Sequence, residues 1–155
     1  MILTPEQIHS YKQDGTIVIK DIFKSWINIL REGFEEVLKK PGPHARENTS
    51  INEEGRFFED YCNWDRIPEF VKFVKESPAA QIVAEATNSK SIQAFHDHIF
   101  VKEPSTSKPT PWHQDMPYYC VEGENTGSFW IPLDEVNKEN TLKLILGSHK
   151  WPKLI

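Results

Sequence analysis

The spacing of the apolar residues changes near Ser91, and this change constrains the fold more than any other feature of the chain. Before Ser91, apolar side chains recur every three or four residues, which is the spacing of helices with one buried face. After it, short runs with a strand-like period are separated by loops that contain Pro, Gly or Asn. A helical part followed by strands predicts an α+β fold, with N-terminal helices packed on an antiparallel sheet.

Four helices are predicted in the first 90 residues. Thr4, Pro5 and Gln7 form the pattern of an N-cap, a proline at the first helical position and a capping-box partner. The first helix should therefore run from Pro5 to about Gly15. Apolar spacing and prolines at the helix starts or ends predict the other three helices at residues 25–40, 68–76 and 78–88.

Strands are predicted at residues 16–23, 92–102, 110–119, 127–133 and 141–146. The double-sheet jelly roll is the natural way to close the last four strands. We therefore expect one domain over residues 1–155, with mainly helical support at 1–90 and jelly-roll strands at 91–155. The polar segment 44–55 is expected to form a mobile loop or lid.

Length, charge and cysteine use restrict the classes of protein. A chain of 155 residues has the usual size of one domain, and its net charge of -5 argues against nucleic acid or an anionic membrane as a partner. Cys62 and Cys120 form no Cys-x-x-Cys pattern, and no run has the pattern of a signal peptide or the length of a membrane span. These properties predict a cytoplasmic protein without a nucleic-acid or membrane partner.

His113 and Asp115 are separated by one residue, so on a strand they would project from the same face and both reach one metal ion. An imidazole and a carboxylate supply two corners of the facial triad that binds non-haem Fe(II). The pair alone is a weak signal, because a half-buried His beside a surface Asp needs no metal. Its meaning depends on the surrounding sequence.

The surrounding segments carry a family resemblance. Ile99–Pro104 precedes the pair, Ser128–Glu135 contains Trp-Ile-Pro-Leu-Asp, and Leu144–Trp151 contains Gly-Ser-His-Lys-Trp. Together with Leu3–Ile8 at the start, these segments resemble, in order and spacing, the phytanoyl-CoA dioxygenase family of iron- and 2-oxoglutarate-dependent oxygenases. The resemblance runs from end to end, with an unassigned patch near residues 41–60.

The resemblance implies a cupin-like jelly roll in which His113 and Asp115 are catalytic ligands of Fe(II). It implies 2-oxoglutarate as the cosubstrate, dioxygen as a reactant and a small organic molecule as the substrate. Lys102 would approach a carboxylate of 2-oxoglutarate, although a lysine at the end of a strand is equally consistent with a solvated tip. His96 and His98 would line the cosubstrate pocket, and His149 would lie in a turn without binding iron.

In the resembling family a further His and an Arg follow beyond the position of Ile155. The resemblance therefore predicts an N-terminal portion of an oxygenase, with a jelly roll that is incomplete at its C-terminus. Two other functions stay open. One is a catalytically inactive partial fold, or an interaction module that forms homo-oligomers through exposed strand edges. The other is a cupin-like metal protein using His96 and His98, for which the sequence lacks the usual Gly-rich segment and Glu.

Overall fold

A computed structural model describes residues 1–152 except 53, 122 and 124. These residues form four α-helices and a small antiparallel sheet of three strands, which confirms the predicted α+β class. The helices are α1 (Pro5–Asp14), α2 (Ile27–Lys39), α3 (Pro68–Glu76) and α4 (Ala79–Thr87), and the strands are β1 (Arg46–Glu47), β2 (Phe57–Tyr61) and β3 (His98–Lys102). Within the described residues, no helix is both long enough and apolar enough to cross a bilayer.

The chain divides into two compact units. The first unit comprises Met1–Ile22, Pro78–Gln93 and Pro111–Ile155, and the second comprises Phe23–Ser77 and Ala94–Thr110. The first unit therefore contains α1 and α4, whereas the second contains α2, α3 and the three-stranded sheet.

In the first unit, α1 begins and ends as its sequence predicts. Thr4 Oγ1 accepts a hydrogen bond from the backbone N–H of Gln7 at 3.2 Å, and the Gln7 side chain accepts one from the N–H of Thr4 at 2.9 Å. These two bonds are the capping box, which satisfies donors that the first turn leaves without intrahelical partners. The helix ends at Gly15, whose φ of 80° is a left-handed conformation that glycine adopts without steric cost.

A carboxylate on α4 holds the N-terminal segment of the same unit. The Glu85 side chain accepts hydrogen bonds from the backbone N–H groups of Ile2 and Leu3, each at 2.8 Å to Oε2. Leu3 is buried in the core. The residues before α1 are therefore fixed by Glu85, which lies more than 80 positions later in the sequence.

In the second unit, α2 and α3 pack against each other at a point of close approach. Leu30, Gly33 and Val37 form the buried face of α2, at the spacing of successive helical turns. A Cβ atom built on Gly33 would lie 2.6 Å from Cε1 of the Phe70 ring on α3. A side chain at position 33 would thus displace the Phe70 ring from the contact.

The sheet of the second unit has the order β1-β2-β3, with antiparallel pairing throughout. Tyr61 lies opposite His98, Glu59 opposite Phe100 and Phe57 opposite Lys102. Because residues directly opposite each other share a face and the face alternates along a strand, these six side chains lie on one face. The other face includes Phe58 and Asp60, which are both buried.

Most of the predicted strands are absent from the described residues. Of the segment 92–102, only residues 98–102 form a strand, and the segments 110–119, 127–133 and 141–146 form none. An alternating pattern identifies which residues could share a face, but a strand also needs a neighbour for its backbone hydrogen bonds. Among the described residues these later segments have no such neighbour in the sheet.

The strand predicted at residues 16–23 is wrong for a local reason. Asp21 has a φ of 58°, which is incompatible with an extended strand, and residues 20–23 form a turn. Conversely, β1 lies inside the segment 44–55 that was predicted to be a loop, and β2 was not predicted.

Candidate functional site

His113 and Asp115 bring their side chains together in the first unit. His113 Nε2 lies 3.4 Å from Asp115 Oδ1, and both side chains are partly exposed. The other ring nitrogen, Nδ1, lies 2.8 Å from the backbone carbonyl oxygen of Pro111. Because a carbonyl only accepts, this contact requires a proton on Nδ1, so in the neutral imidazole Nε2 carries the lone pair beside the carboxylate.

A turn produces this convergence, not the strand that the spacing predicts. Residues 110–115 form no strand, and Asp115 has helical φ and ψ and directly precedes a 3₁₀ turn at Met116–Tyr118. Pro111 and Pro117 explain the difference, because proline cannot donate to a strand ladder and favours the first residues of a turn. Trp112, His113 and Gln114 accordingly line the same cavity instead of alternating between two faces.

Tyr119 contacts the second oxygen of the Asp115 carboxylate. Its hydroxyl donates to Asp115 Oδ2 at 3.2 Å, so the two oxygens of Asp115 have different neighbours. Burial raises the pKa of Tyr119, and the nearby Asp115 carboxylate raises it further. The tyrosine therefore stays protonated near neutral pH and acts as the hydrogen-bond donor.

The pair fits two adjacent positions around a metal ion. Ligands about 2.1 Å from a metal and at right angles to each other lie ~3 Å apart, close to the observed 3.4 Å. Histidine ligands commonly donate their other N–H to a backbone carbonyl, as His113 does. Among the residues that the structure describes, however, no group of three or more His, Cys, Asp and Glu side chains is arranged to hold a metal.

The cavity beside His113 is small. Its volume is about 60 Å³, and Trp112, Leu144, Ile145 and Trp151 supply most of its apolar lining. Pockets for small organic ligands usually enclose about 300 Å³ or more. This cavity therefore has room for water-sized groups beside the imidazole but not for a whole organic ligand.

Lys102, at the end of β3 in the second unit, binds a neighbouring loop. Its ammonium donates to the carbonyl oxygen of Lys108 at 2.8 Å and to Thr110 Oγ1 at 3.1 Å. It also lies 4.5 Å from the centroid of the Phe57 ring. Burial lowers the pKa of Lys102. Lys102 is therefore more than the solvated tip that its position at a strand end would suggest.

His96 and His98 do not form a pair on one strand. His98 is the first residue of β3, whereas His96 precedes the strand and its ring contacts that of Phe95, with 4.7 Å between the centroids. The His98 ring stacks on Tyr61 at a centroid distance of 3.9 Å, and His98 Nε2 lies 3.4 Å from Glu59 Oε2. The arrangement of two histidines on one strand, which a cupin-like site needs, is therefore absent here.

Residues 11–154 of the chain match the phytanoyl-CoA dioxygenase family. The chain belongs to this family. The match confirms the resemblance inferred from the sequence motifs. Members of the phytanoyl-CoA dioxygenase family typically use Fe(II) and 2-oxoglutarate for oxygenase chemistry. No curated protein and no solved structure matches the chain significantly.

His149 lies in the family's Gly-Ser-His-Lys-Trp segment and forms part of a turn. Ser148–Lys150 is a 3₁₀ turn, which agrees with the turn predicted at this position. His149 Nε2 lies 3.2 Å from the carbonyl oxygen of Lys12, and the N–H of Gly147 donates to the carbonyl of Asp14 at 2.8 Å. These contacts dock the turn on the C-terminal end of α1.

Sequence reasoning missed β2, which supplies Glu59 and Tyr61 to the partly exposed face of the sheet. Its sequence, Phe-Phe-Glu-Asp-Tyr, does not alternate between apolar and polar residues, because the acidic Asp60 faces the interior. The Asp60 carboxylate accepts hydrogen bonds from the N–H groups of Gly42 at 2.7 Å and Tyr61 at 2.8 Å. A buried acid with partners distant in the sequence leaves no periodic signal.

Proposed function

We propose that the chain is an Fe(II)- and 2-oxoglutarate-dependent oxygenase that hydroxylates a small organic substrate. One observation carries the proposal. His113 Nε2 and Asp115 Oδ1 lie 3.4 Å apart, while the carbonyl of Pro111 engages the other ring nitrogen. Membership of the phytanoyl-CoA dioxygenase family supports the same chemistry.

Each residue of the site has a defined task in this proposal. His113 Nε2 and the Asp115 carboxylate hold the metal, the Pro111 carbonyl fixes the tautomer of the imidazole, and the Tyr119 hydroxyl orients the carboxylate through Oδ2. When bound, ferrous iron with 2-oxoglutarate and dioxygen supplies the oxidising chemistry, and 2-oxoglutarate leaves as succinate and CO2. The protein's own part is to hold the His113 imidazole and the Asp115 carboxylate so that they could occupy adjacent positions around the metal.

We propose that Lys102 binds a carboxylate of 2-oxoglutarate. His96 and His98 are further residues that we propose to lie near this cosubstrate. A lysine ammonium has three N–H donors, and Lys102 uses two of them for Lys108 and Thr110. The third donor is able to form a charge-assisted hydrogen bond with an anion. We also propose a jelly roll, because the chain belongs to this family, and a cytoplasmic location, because of its composition.

Anaerobic titration with Fe(II) in the presence of 2-oxoglutarate tests the proposal. We expect an absorption band from the metal and cosubstrate together and, after air is admitted, release of succinate. Binding should be weak, because two protein ligands hold an ion less firmly than three. His113→Ala and Asp115→Asn should each weaken Fe(II) binding by about tenfold or more.

His9→Ala is the matched control, because His9 is an exposed histidine on α1. It should bind Fe(II) as the unaltered protein does. An unchanged Fe(II) affinity in both His113→Ala and Asp115→Asn would refute the assignment of the ligands. The absence of both the band and succinate would refute the oxygenase activity of this chain, and submicromolar affinity would contradict the expectation of weak binding.

A second candidate function is self-association, in which the chain is catalytically inactive. β3 stands at one edge of the sheet, and an edge strand is a template for pairing with another chain. In the first unit, Leu142, Leu144, Ile145 and Leu146 are all exposed, and apolar surface of this kind often marks an interface. Sedimentation at increasing protein concentration tests this function, which predicts dimers or larger species together with no release of succinate.

The cupin-like alternative predicts a different set of metal ligands. In that case, replacing His96 and His98 by Ala would abolish metal binding, whereas His113→Ala would not. The oxygenase proposal predicts the reverse pattern for binding of Fe(II) alone. The two sets of variants therefore separate the hypotheses in one titration.

A further inference from the structure

One face of the sheet in the second unit combines acidic and aromatic side chains. The register places Tyr61 with His98, and Glu59 with Phe100, on the same face. On β2 these residues are less buried than their neighbours Phe58 and Asp60, which face the core. On β3, His98 and Phe100 are both exposed.

Glu59 is largely buried on this face but has no cationic lysine or arginine partner among the described residues. Its side chain is 15% exposed, and the Tyr61 hydroxyl donates to Oε2 at 3.5 Å. The imidazole of His98 is 3.4 Å from the same oxygen. Arg46 lies opposite Glu59 on β1, yet it is exposed and forms no ion pair with it within 4.0 Å. Since burying a carboxylate costs free energy unless a positive charge accompanies it, this position favours a cation.

Aromatic rings flank the carboxylate. Tyr61 and His98 are stacked, with an interplanar angle of 19°, and the Phe100 ring lies 5.6 Å from that of His98. The side chain of Phe100 is 46% exposed, so its ring is accessible to a ligand. Aromatic faces attract cations through their quadrupole, and quaternary ammonium ligands are commonly bound by aromatic side chains.

We propose that this face binds a small organic cation of the ammonium type, with Glu59 as its counter-ion and Phe100 and the Tyr61–His98 stack as its aromatic wall. The proposal goes beyond the proposed function and does not depend on it, because this face lies in the second unit and the His113–Asp115 pair lies in the first. Lys102 follows Phe100 by two residues on the same face, about 7 Å further along the strand. A fixed ammonium there repels a second cation, which restricts the ligand's charge to the end of the face near Glu59.

Binding of choline to the metal-free protein tests the proposal without requiring any oxygenase activity. The matched probe is 3,3-dimethylbutan-1-ol, which has nearly the same shape but no charge. Titrations followed by NMR at pH 8, where an ordinary imidazole is neutral, should show choline binding about tenfold more tightly than the alcohol. The shifted signals should belong to Tyr61, His98 and Phe100.

Two variants and one control identify the site. Glu59→Gln should remove the preference for choline, and Phe100→Ala should weaken choline binding while leaving the carboxylate in place. Glu47→Gln is the control, because Glu47 is an exposed carboxylate on the opposite face of the same sheet. It should keep the preference. If Glu59→Gln fails to fold, Phe100→Ala still decides the outcome.

Equal binding of choline and the alcohol, or an unchanged preference in the folded Glu59→Gln protein, would overturn the proposal. An unchanged choline affinity in Phe100→Ala would do the same. Choline binding with neither the absorption band nor succinate release would support this site and refute the oxygenase. Succinate release without choline binding would leave the oxygenase and reject this site.

Discussion

Asp60 and Asp115 are the same amino acid, but their surroundings give them opposite properties. Asp60 is completely buried, and backbone N–H groups of Gly42 and Tyr61 bind its carboxylate, with Arg66 Nη2 3.8 Å away. Asp115 has a side chain that is 53% exposed beside an imidazole. The Asp60 carboxylate stabilises the second unit, whereas the Asp115 carboxylate is accessible to a metal ion.

Replacement of Asp60 by Ala should lower the free energy of unfolding by about 3 kcal/mol, because it leaves buried donors without an acceptor. Replacement of the exposed Asp115 by Ala should change it by only about 0.5 kcal/mol. Urea denaturation of the two variants and the unaltered protein provides the comparison. Equal changes of the free energy of unfolding in the two variants would show that burial does not determine how much Asp60 contributes to stability.

At the scale of elements, the helices were predicted correctly from the sequence, whereas most of the strands were not. The predicted bounds of α1 and α3 agree with those observed, and α2 and α4 differ from theirs by a few residues. A helix closes its hydrogen bonds within four residues, so its caps and apolar spacing are local signals. A strand depends on a neighbour that is often distant in the sequence. The paired residues of β2 and β3 are between 37 positions apart, for Tyr61 and His98, and 45 positions apart, for Phe57 and Lys102. Around His113 the sequence has the spacing of a strand, but the neighbouring prolines favour a turn, and the turn is what forms.

The first turn of α1 offers a test of its cap. Thr4→Ala should destabilise the helix by about 1 kcal/mol, because the N–H of Gln7 loses its acceptor at 3.2 Å. Thr4→Ser keeps the hydroxyl and should retain most of that stability. Hydrogen exchange at the amide of Gln7 measures the effect, and equal exchange rates in the two variants would contradict a role for the hydroxyl.

At the scale of the whole molecule, contacts between distant parts of the sequence stabilise each compact unit. Glu85 links α4 to Ile2 and Leu3 in the first unit, and Asp97 Oδ1 accepts from the N–H groups of Asn63 and Trp64 in the second, each at 2.7 Å. A carboxylate whose pKa differs between the folded and unfolded states makes stability depend on pH. The hydrogen bond from the N–H of Leu3 is the main reason that the pKa of Glu85 lies below its ordinary value of 4.5, with the Gln81 side chain as a second cause.

Because the folded state lowers the pKa of Glu85, its contribution to stability is present above pH 4.5 and is lost as the pH falls through the lower value. Glu85→Gln should therefore unfold at a lower temperature at pH 7 and show a smaller loss of melting temperature between pH 5 and about pH 3. Melting curves at several pH values test this. Glu32→Gln, an exposed position on α2, should keep the original pH dependence, and an equally steep dependence in Glu85→Gln would refute the assignment.

The sequence by itself determined the helix starts, the α+β class and the family, because caps, apolar spacing and ordered motifs are read from residues close together in the chain. The spacing of His113 and Asp115 also identified them as candidate metal ligands. A local turn then brings their atoms within 3.4 Å. Only the tertiary structure decided that Asp60 is buried and that Glu59 shares a face with Tyr61 and His98. Those facts depend on strand pairing and burial between distant segments, and no local pattern of residues encodes them.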